Sequence, residues 1–381
     1  MPVAFHREIG QLALVGFDGY SVTPEVASLA RQFDLGGVIL FKRNVESPEQ
    51  VAEIAWRARE LSRGVPLWVG VDQEGGRVAR VRAPLTEWPP AETLGRAGSE
   101  DLAGRFGAAL ALELSVLGFS IDFAPVLDVL TNPANPVING GRAISGDPEV
   151  VARIGAAIVR ALQAGGVAAC GKHFPGHGDT SVDSHFDLPL VEHPPDRFHA
   201  IDFVPFRAVI EAGVAAIMTG HLLVPAFDEE RPATLSHAVV EGQLRGELGW
   251  DGLVFTDDMN MKAVAARFTP VGAAVTAIAA GCDVLLLCGT DPAVQAEVLE
   301  GLIHAVEREE LPVKRVEDAI ARQRAAKARF AAMKPSVDPV SGEVIVPPLH
   351  RDWRPLRPES LRRLIGRDEH QAIAGEMREY L

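Results

Sequence analysis

The sequence predicts a (β/α)8 barrel of the TIM type, and three observations predict it. Eight short apolar runs rich in Val, Ile, Leu and Phe recur along the chain, segments with helical periodicity separate them, and the runs are near-continuous instead of alternating. Parallel strands covered on both faces have that unbroken apolar character. Strands that alternate with helices close most simply into a barrel. At 381 residues the chain has room for two or three average domains, but one large barrel also fits.

The strands are expected at "LALVGF" (12–17), "GGVILF" (36–41), "LWVGVD" (67–72), "FSIDFAPV" (119–126), "VAACGKH" (167–173), "AAIMTGH" (215–221), "GLVFTD" (252–257) and "DVLLLCG" (283–289). Helix starts are marked in the sequence itself. Ser47-Pro48-Glu49-Gln50 supplies a cap, a proline at the first helical position and Gln at the third, and Val51, Ile54, Ala55, Ala58 and Leu61 then form one apolar face. Thr23-Pro24-Glu25 and Asp147-Pro148-Glu149 repeat the signal. A doubly wound open sheet is the alternative, but no G-x-G-x-x-G follows the first strand. After residue 335 a proline-rich stretch without periodicity reads as an extended arm, followed by a final helix from Ser360. The expected division is a barrel over residues 1–335 and a C-terminal extension, arm plus helix, over 336–381.

The bulk composition, 47% hydrophobic and 23% charged, is that of a soluble globular chain with a sizeable core. A formal net charge of −14 without a long Lys/Arg cluster argues against a nucleic-acid partner or an anionic membrane. The N-terminus lacks a basic region followed by an unbroken apolar run and cleavage site, so no signal peptide is expected and the protein is placed in the cytoplasm. Cys170, Cys282 and Cys288 have neither disulfide nor zinc spacing and read as core thiols. Nothing in the sequence decides the oligomeric state.

In such barrels the active site lies at the carboxyl ends of the strands. There the third strand delivers Asp72, within "GVDQEGGRVAR"; the fourth leads to Asp128 and a loop carrying Arg142; the fifth ends in Lys172-His173; the sixth ends in His221 and the seventh in Asp257-Asp258. Singly, each has a bland reading. Asp72 and Asp128 could bind loop amides, Arg80 and Arg142 could be surface charges, one of the Asp257/Asp258 pair could cap the next helix, and His221 could be structural. Together they predict a polar pocket for a small polyhydroxy substrate.

The stretch "GKHFPGHGDTSVDSH" (171–185) follows the fifth strand and admits several readings. A metal site would use His173, His177 and His185 with Asp179 or Asp183, but Pro175 and the glycines forbid the helix that the His173/His177 spacing would suit, and Lys172 repels a cation. A phosphate cradle lacks the Walker spacing. A merely structural loop is the third option. In the fourth, Asp183 and His185 lie on one side of an extended segment, and the carboxylate fixes the tautomer of the imidazole and raises its basicity. A proton-handling pair opposite a fixed carboxylate is the division of labour that glycosidic cleavage needs.

These residues carry a resemblance. "GVDQEGGRVAR", "KHFPGHGDTSVDSHFDLP" and "FTDDMNMKAV", in that order, resemble family 3 glycoside hydrolases, specifically the single-domain β-N-acetylglucosaminidases of the NagZ type, over roughly residues 8 to 335. The resemblance implies a retaining mechanism through a covalent glycosyl-enzyme, with Asp257 as nucleophile and His185 as general acid/base partnered by Asp183. It implies that Asp72, Arg80, Arg142, Lys172 and His173 bind the sugar hydroxyls and N-acetyl group, with no metal or other cofactor. The substrate it implies is a small carbohydrate or muropeptide of cell-wall recycling. The chain departs from the family where Gly140-Gly141 precede Arg142, many relatives having an acid just before it, and in its longer tail. The glycines around Pro175 are expected to let the loop move. Rival readings are a phosphorylase or a β-glucosidase of the same family, and a catalytically silent sugar-binding barrel.

Overall fold

The computed structural model describes residues 7–64 and 66–381; the first six residues of the N-terminal reading lie outside them. All eight expected strands form: β1 (Ala13–Val15), β2 (Gly37–Ile39), β3 (Trp68–Val71), β4 (Ile121–Asp122), β5 (Ala168–Phe174), β6 (Ala216–Thr219), β7 (Leu253–Asp258) and β8 (Val284–Leu287). Each pairs in parallel with its neighbours in sequence, and β8 closes on β1 with Leu285 opposite Ala13. The architecture is therefore the closed (β/α)8 barrel.

Most ladders are shorter than the apolar runs that announced them. The largest difference is at β4, where only two of the eight expected residues pair as strand. Beyond Asp122 the chain still bonds to β5 through Ala124 O, Pro125 O and the Leu127 N–H, but Pro125, lacking an N–H, interrupts the regular ladder. The helix starts follow the sequence signals: Thr23, Ser47 and Asp147 each accept a first-turn backbone N–H. Gln50 turns its carbonyl to the N–H of Glu46, one residue before the cap position that a strict capping box would use.

Side chains that point into the barrel, among them Leu14, Ile39, Trp68, Phe123, Phe255 and Leu286, form their own apolar cluster. The far end of that cluster is occupied by Phe330 and by Leu349 from the tail. The C-terminal segment is thus bound to the barrel. Its arm contains a small hairpin, Ser336–Val337 against Val344–Ile345, where the sequence suggested no regular structure. The Trp353 indole donates to Ser115 O at 3.1 Å. The expected single final helix is two, Pro358–Leu364 and Asp368–Arg378. Gly366 breaks it at φ +59°, in a position where a Cβ would stand 2.0 Å from Pro84 O. Its N–H donates to buried Glu113, which also takes hydrogen bonds from the Thr86 hydroxyl and His370 Nδ1.

Among the described residues no helix is long and apolar enough to cross a membrane. The three cysteines are free and buried.

Candidate active site

A cavity of about 340 Å³ opens at the carboxyl end of the barrel. All eight predicted site residues line it: Asp72, Arg80, Arg142, Lys172, His173, Asp183, His185 and Asp257. Glu74, His177, Ser184 and Asp258 line it as well and were not among them.

One wall is an ion cluster. After β3 the chain makes a short antiparallel ribbon, Gln73–Gly75 with Val78–Ala79, which brings Glu74 back over the barrel. Lys172 Nζ lies 2.7 Å from Asp72 Oδ1 and 2.7 Å from Glu74 Oε1. Arg142 binds Glu74 through Nε and Nη2, both at 2.8 Å, and Arg80 reaches Asp72 at 3.3 Å. Burial opposes ionisation of both acids, but Lys172 with Arg80 at Asp72, and Arg142 with Lys172 at Glu74, outweigh it and hold both carboxyls below the usual range. Burial likewise opposes the charge on Lys172, and the two acids raise it in spite of that. Asp122, beneath this cluster, has only one oxygen bonded, by the N–H of Gln73, and burial pushes it well above the ordinary carboxyl value. Arg142 is therefore no ordinary surface charge. Its side chain is 11% exposed and its partner Glu74 3%.

A second group follows β5. Buried Asp128 accepts from the His173 ring through Nδ1 at 2.7 Å and from the N–H groups of His173 and His177. That leaves His173 Nε2 for the cavity. The Thr180 hydroxyl donates to His177 O and stands 2.6 Å from His177 Nδ1, so the ring must supply the hydrogen there. His177 Nε2 is then bare and accepts the Ser184 hydroxyl at 3.2 Å. Burial lowers His177 to about 4, which keeps it neutral near pH 7.

The first half of the long loop is not free to move in the way its glycines suggested. A Cβ on Gly178 would stand 1.7 Å from Val129 O, and one on Gly176 2.8 Å from Asp202 Oδ1. Asn135 fastens His177 O and Thr180. These glycines permit close packing; the exposed stretch begins at Ser181.

There Asp183 and His185 meet, as expected, but through a turn and not an extended segment. Phe186 N–H donates to Asp183 O at 2.9 Å. Asp183 Oδ1 accepts both the backbone N–H of His185, at 2.8 Å, and its Nδ1, at 2.7 Å. His185 is 61% exposed in its side chain. Burial works against the Asp183 charge, and the two bonds from His185 lower its pKa overall.

The Asp257-Asp258 pair divides cleanly. Asp258 Oδ1 accepts the N–H groups of Asn260 and Cys288, a loop-fastening role, and burial raises its pKa. Asp257 bonds only the N–H of Asp258 and faces the cavity. Burial opposes its charge, but His173, His221 and Lys172 help to hold it below the usual range. His221 is a structural histidine: it is buried between Thr234 and the carbonyl of Asp258.

The metal reading finds its residues dispersed. His173 goes to Asp128, His177 to Thr180 and Ser184, His185 to Asp183, and Asp179 to His193. Among the described residues no three His, Cys, Asp or Glu side chains form a group able to hold a metal ion.

Residues 4–325 match the glycosyl hydrolase family 3 N-terminal domain. β-Hexosaminidase A of Pseudoalteromonas piscicida is 38% identical over 287 residues, 70% of this chain, and this chain spans about half that protein's length, 48%. The structure of a family 3 β-N-acetylglucosaminidase from Paenibacillus sp. str. FPU-7 superimposes with a TM-score of 0.84 at 38% identity, covering 96% of this chain and 68% of that one. NagZ from Neisseria gonorrhoeae, in complex with N-trifluoroacetyl-D-glucosamine, gives 0.75 at 29% identity and covers 97% of each chain. A barrel with this rim, matched along most of its length, belongs to glycosyl hydrolase family 3, and the chain is a glycoside hydrolase of that family.

Proposed function

We propose that the protein is a retaining β-N-acetylglucosaminidase that removes terminal β-linked N-acetylglucosamine, with muropeptides of cytoplasmic cell-wall recycling as its natural substrates. One observation carries this reading. A buried carboxylate, Asp257, shares the cavity with an exposed imidazole whose Nδ1 is committed to a second carboxylate, Asp183. The names of the similar proteins supply the substrate class.

In the first step Asp257 attacks the anomeric carbon, the bond to the leaving oxygen breaks, and His185 Nε2 gives that oxygen its proton. Water then attacks the glycosyl-enzyme, His185 Nε2 takes its proton, and Asp257 departs, so the sugar leaves with its configuration retained. An imidazolium donates near neutral pH without placing another anion beside Asp257. Lys172, Arg80, Asp72 and His173 hold the sugar oxygens. Arg142, with Nε and one Nη2 hydrogen on Glu74 and Nη1 on Val137 O, keeps one hydrogen on each terminal nitrogen for the N-acetyl group. Residues 1–335 are the catalytic unit in this reading, and 336–381 are an extension that takes no part in the chemistry.

The test is turnover of aryl N-acetyl-β-glucosaminide beside aryl β-glucoside, with and without phosphate, with NMR of the first anomer released. Large preference for the N-acetyl sugar, β product and indifference to phosphate are expected, because a site built on hydrogen bonds rejects analogues that leave them unmade. Comparable rates on both glycosides move the protein to the glucosidase reading, a phosphate-dependent sugar phosphate to the phosphorylase reading, and no turnover to the silent barrel.

A further inference from the structure

We propose that Phe186, with Lys262 beneath it, is the platform on which a ring-shaped leaving group rests, so that this side chain sets the preference for cyclic aglycones. The inference rests on the glycosidase reading above. The cavity, of about 340 Å³, is built around Asp257 and holds the sugar that Asp257 attacks. The rest of the substrate must emerge at the mouth, and it emerges beside the group that protonates it. That group is His185, and the next residue is Phe186, 71% exposed. An exposed phenyl ring is poorly placed for stability but well placed for contact with an apolar face.

The turn that carries the ring is also held in position. The Lys262 ammonium lies 5.9 Å from its centroid, Ser184 O accepts the N–H of Ala263 at 3.3 Å, and Asp187 pairs with Arg267 at 2.9 Å. These contacts fix the turn to the segment that follows β7, between cavity-lining His185 and Met261. Val182, on the other side of the Asp183–His185 pair, is 41% exposed, so apolar groups bracket the proton-handling pair. Pyranose and aryl rings share the flat C–H or π face that stacks on phenyl; a fluoride leaving group has none.

The experiment compares kcat/KM on a β-linked N-acetylglucosamine disaccharide with that on N-acetylglucosaminyl fluoride, in the wild-type protein and in Phe186→Ala, Phe186→Leu and Phe186→Trp. The disaccharide-to-fluoride ratio should fall about tenfold in Phe186→Ala, the size of one lost stacking contact. It should stay low in Phe186→Leu and return in Phe186→Trp. The glycosyl-enzyme formed from the fluoride should also pass less of its sugar to an added sugar acceptor, relative to water, in Phe186→Ala. An unchanged ratio with fluoride release intact, or full recovery in Phe186→Leu, overturns the platform alone. Absence of fluoride release by the wild-type protein brings down the glycosidase reading beneath it.

Discussion

Glu74 holds Arg142 through two parallel hydrogen bonds of 2.8 Å, and both side chains are nearly lost to solvent. Removing one partner strands the other as an unpaired buried charge, which costs about 3–5 kcal/mol. Glu74→Ala should therefore destabilise the fold by that order in urea titrations and also reduce kcat/KM, since Lys172 and Arg142 lose their fixed positions. Glu74→Ala/Arg142→Ala should regain part of the stability but none of the activity. If the double variant is as unstable as the sum of the singles, the pair is not coupled as its geometry requires.

Asp257 and Asp258 are adjacent, but their carboxyls do different work. Asp257→Asn should reduce turnover by several orders of magnitude, because a neutral amide neither attacks nor stabilises an oxocarbenium-like centre. In Asp258→Asn the amide oxygen still accepts from Asn260 and Cys288, so the loss should be about 1 kcal/mol of stability and little activity. Equal activity losses at the two positions would reverse the assignment.

Substitution of His185 should depend on what is leaving. His185→Ala should form the glycosyl-enzyme readily from an aryl glycoside of low leaving-group pKa and very poorly from a disaccharide, whose leaving oxygen needs a proton. Deglycosylation also lacks its base, so a burst of aryl alcohol should precede slow turnover. Asp183→Asn should be a milder version, the imidazole losing only its orienting anion. A uniform slowing of good and poor leaving groups counts against the acid/base role.

His177 gives the acid side a distinct signature. Its folded pKa is about 4, depressed by burial from an ordinary 6.5. The unfolded chain therefore takes up this proton first as pH falls, and stability present above about 6.5 is lost progressively down to 4, by up to ~3 kcal/mol. The lowered carboxyls at Asp72, Glu74, Asp128 and Asp257 act in the same direction but below their ordinary values, in a separate window. Asp122, Asp202 and Asp258, whose carboxyls burial raises, act in the opposite direction above their ordinary values, and the wild-type protein and His177→Asn share them. In denaturation at several pH values the stability difference between the two proteins should therefore shrink as pH falls from about 6.5 towards 4. Protonation also places a hydrogen on Nε2, where Ser184 now donates, so proteolysis within residues 181–188 should rise over the same window. A stability difference between the two proteins that stays constant across that range refutes the assignment.

The sequence made the barrel legible because its strands are buried on both faces and its caps stand beside prolines. It made the rim legible because acids and histidines follow the apolar runs directly. Glu74 was harder to see, since its place depends on the chain reversing at Gly75 and Gly76, both with positive φ; its only signal was a spacing of two from Asp72. Arg142 kept an open reading for the same reason, because nothing local announces a partner sixty-eight residues away. The Asp183–His185 contact was recoverable from spacing while its backbone was not, as i and i+2 meet in a strand and in a turn alike. The break of the final helix at Gly366 was not legible, because it depends on Pro84, which lies far away in the sequence.

The tail has a consequence for the order in which the protein can be made. Leu349 fills the floor of the barrel, Trp353 covers Ser115, and Gly366 and His370 complete the hydrogen bonding of Glu113. All four are synthesised after every barrel strand. While they are still being added, the emerging barrel has a floor covered by Phe330 without Leu349 and a buried carboxylate short of two of its donors, a state exposed to aggregation. The barrel is complete only once the tail has docked, and a chain stalled on the ribosome near residue 335 should be a species that chaperones bind and proteases cut.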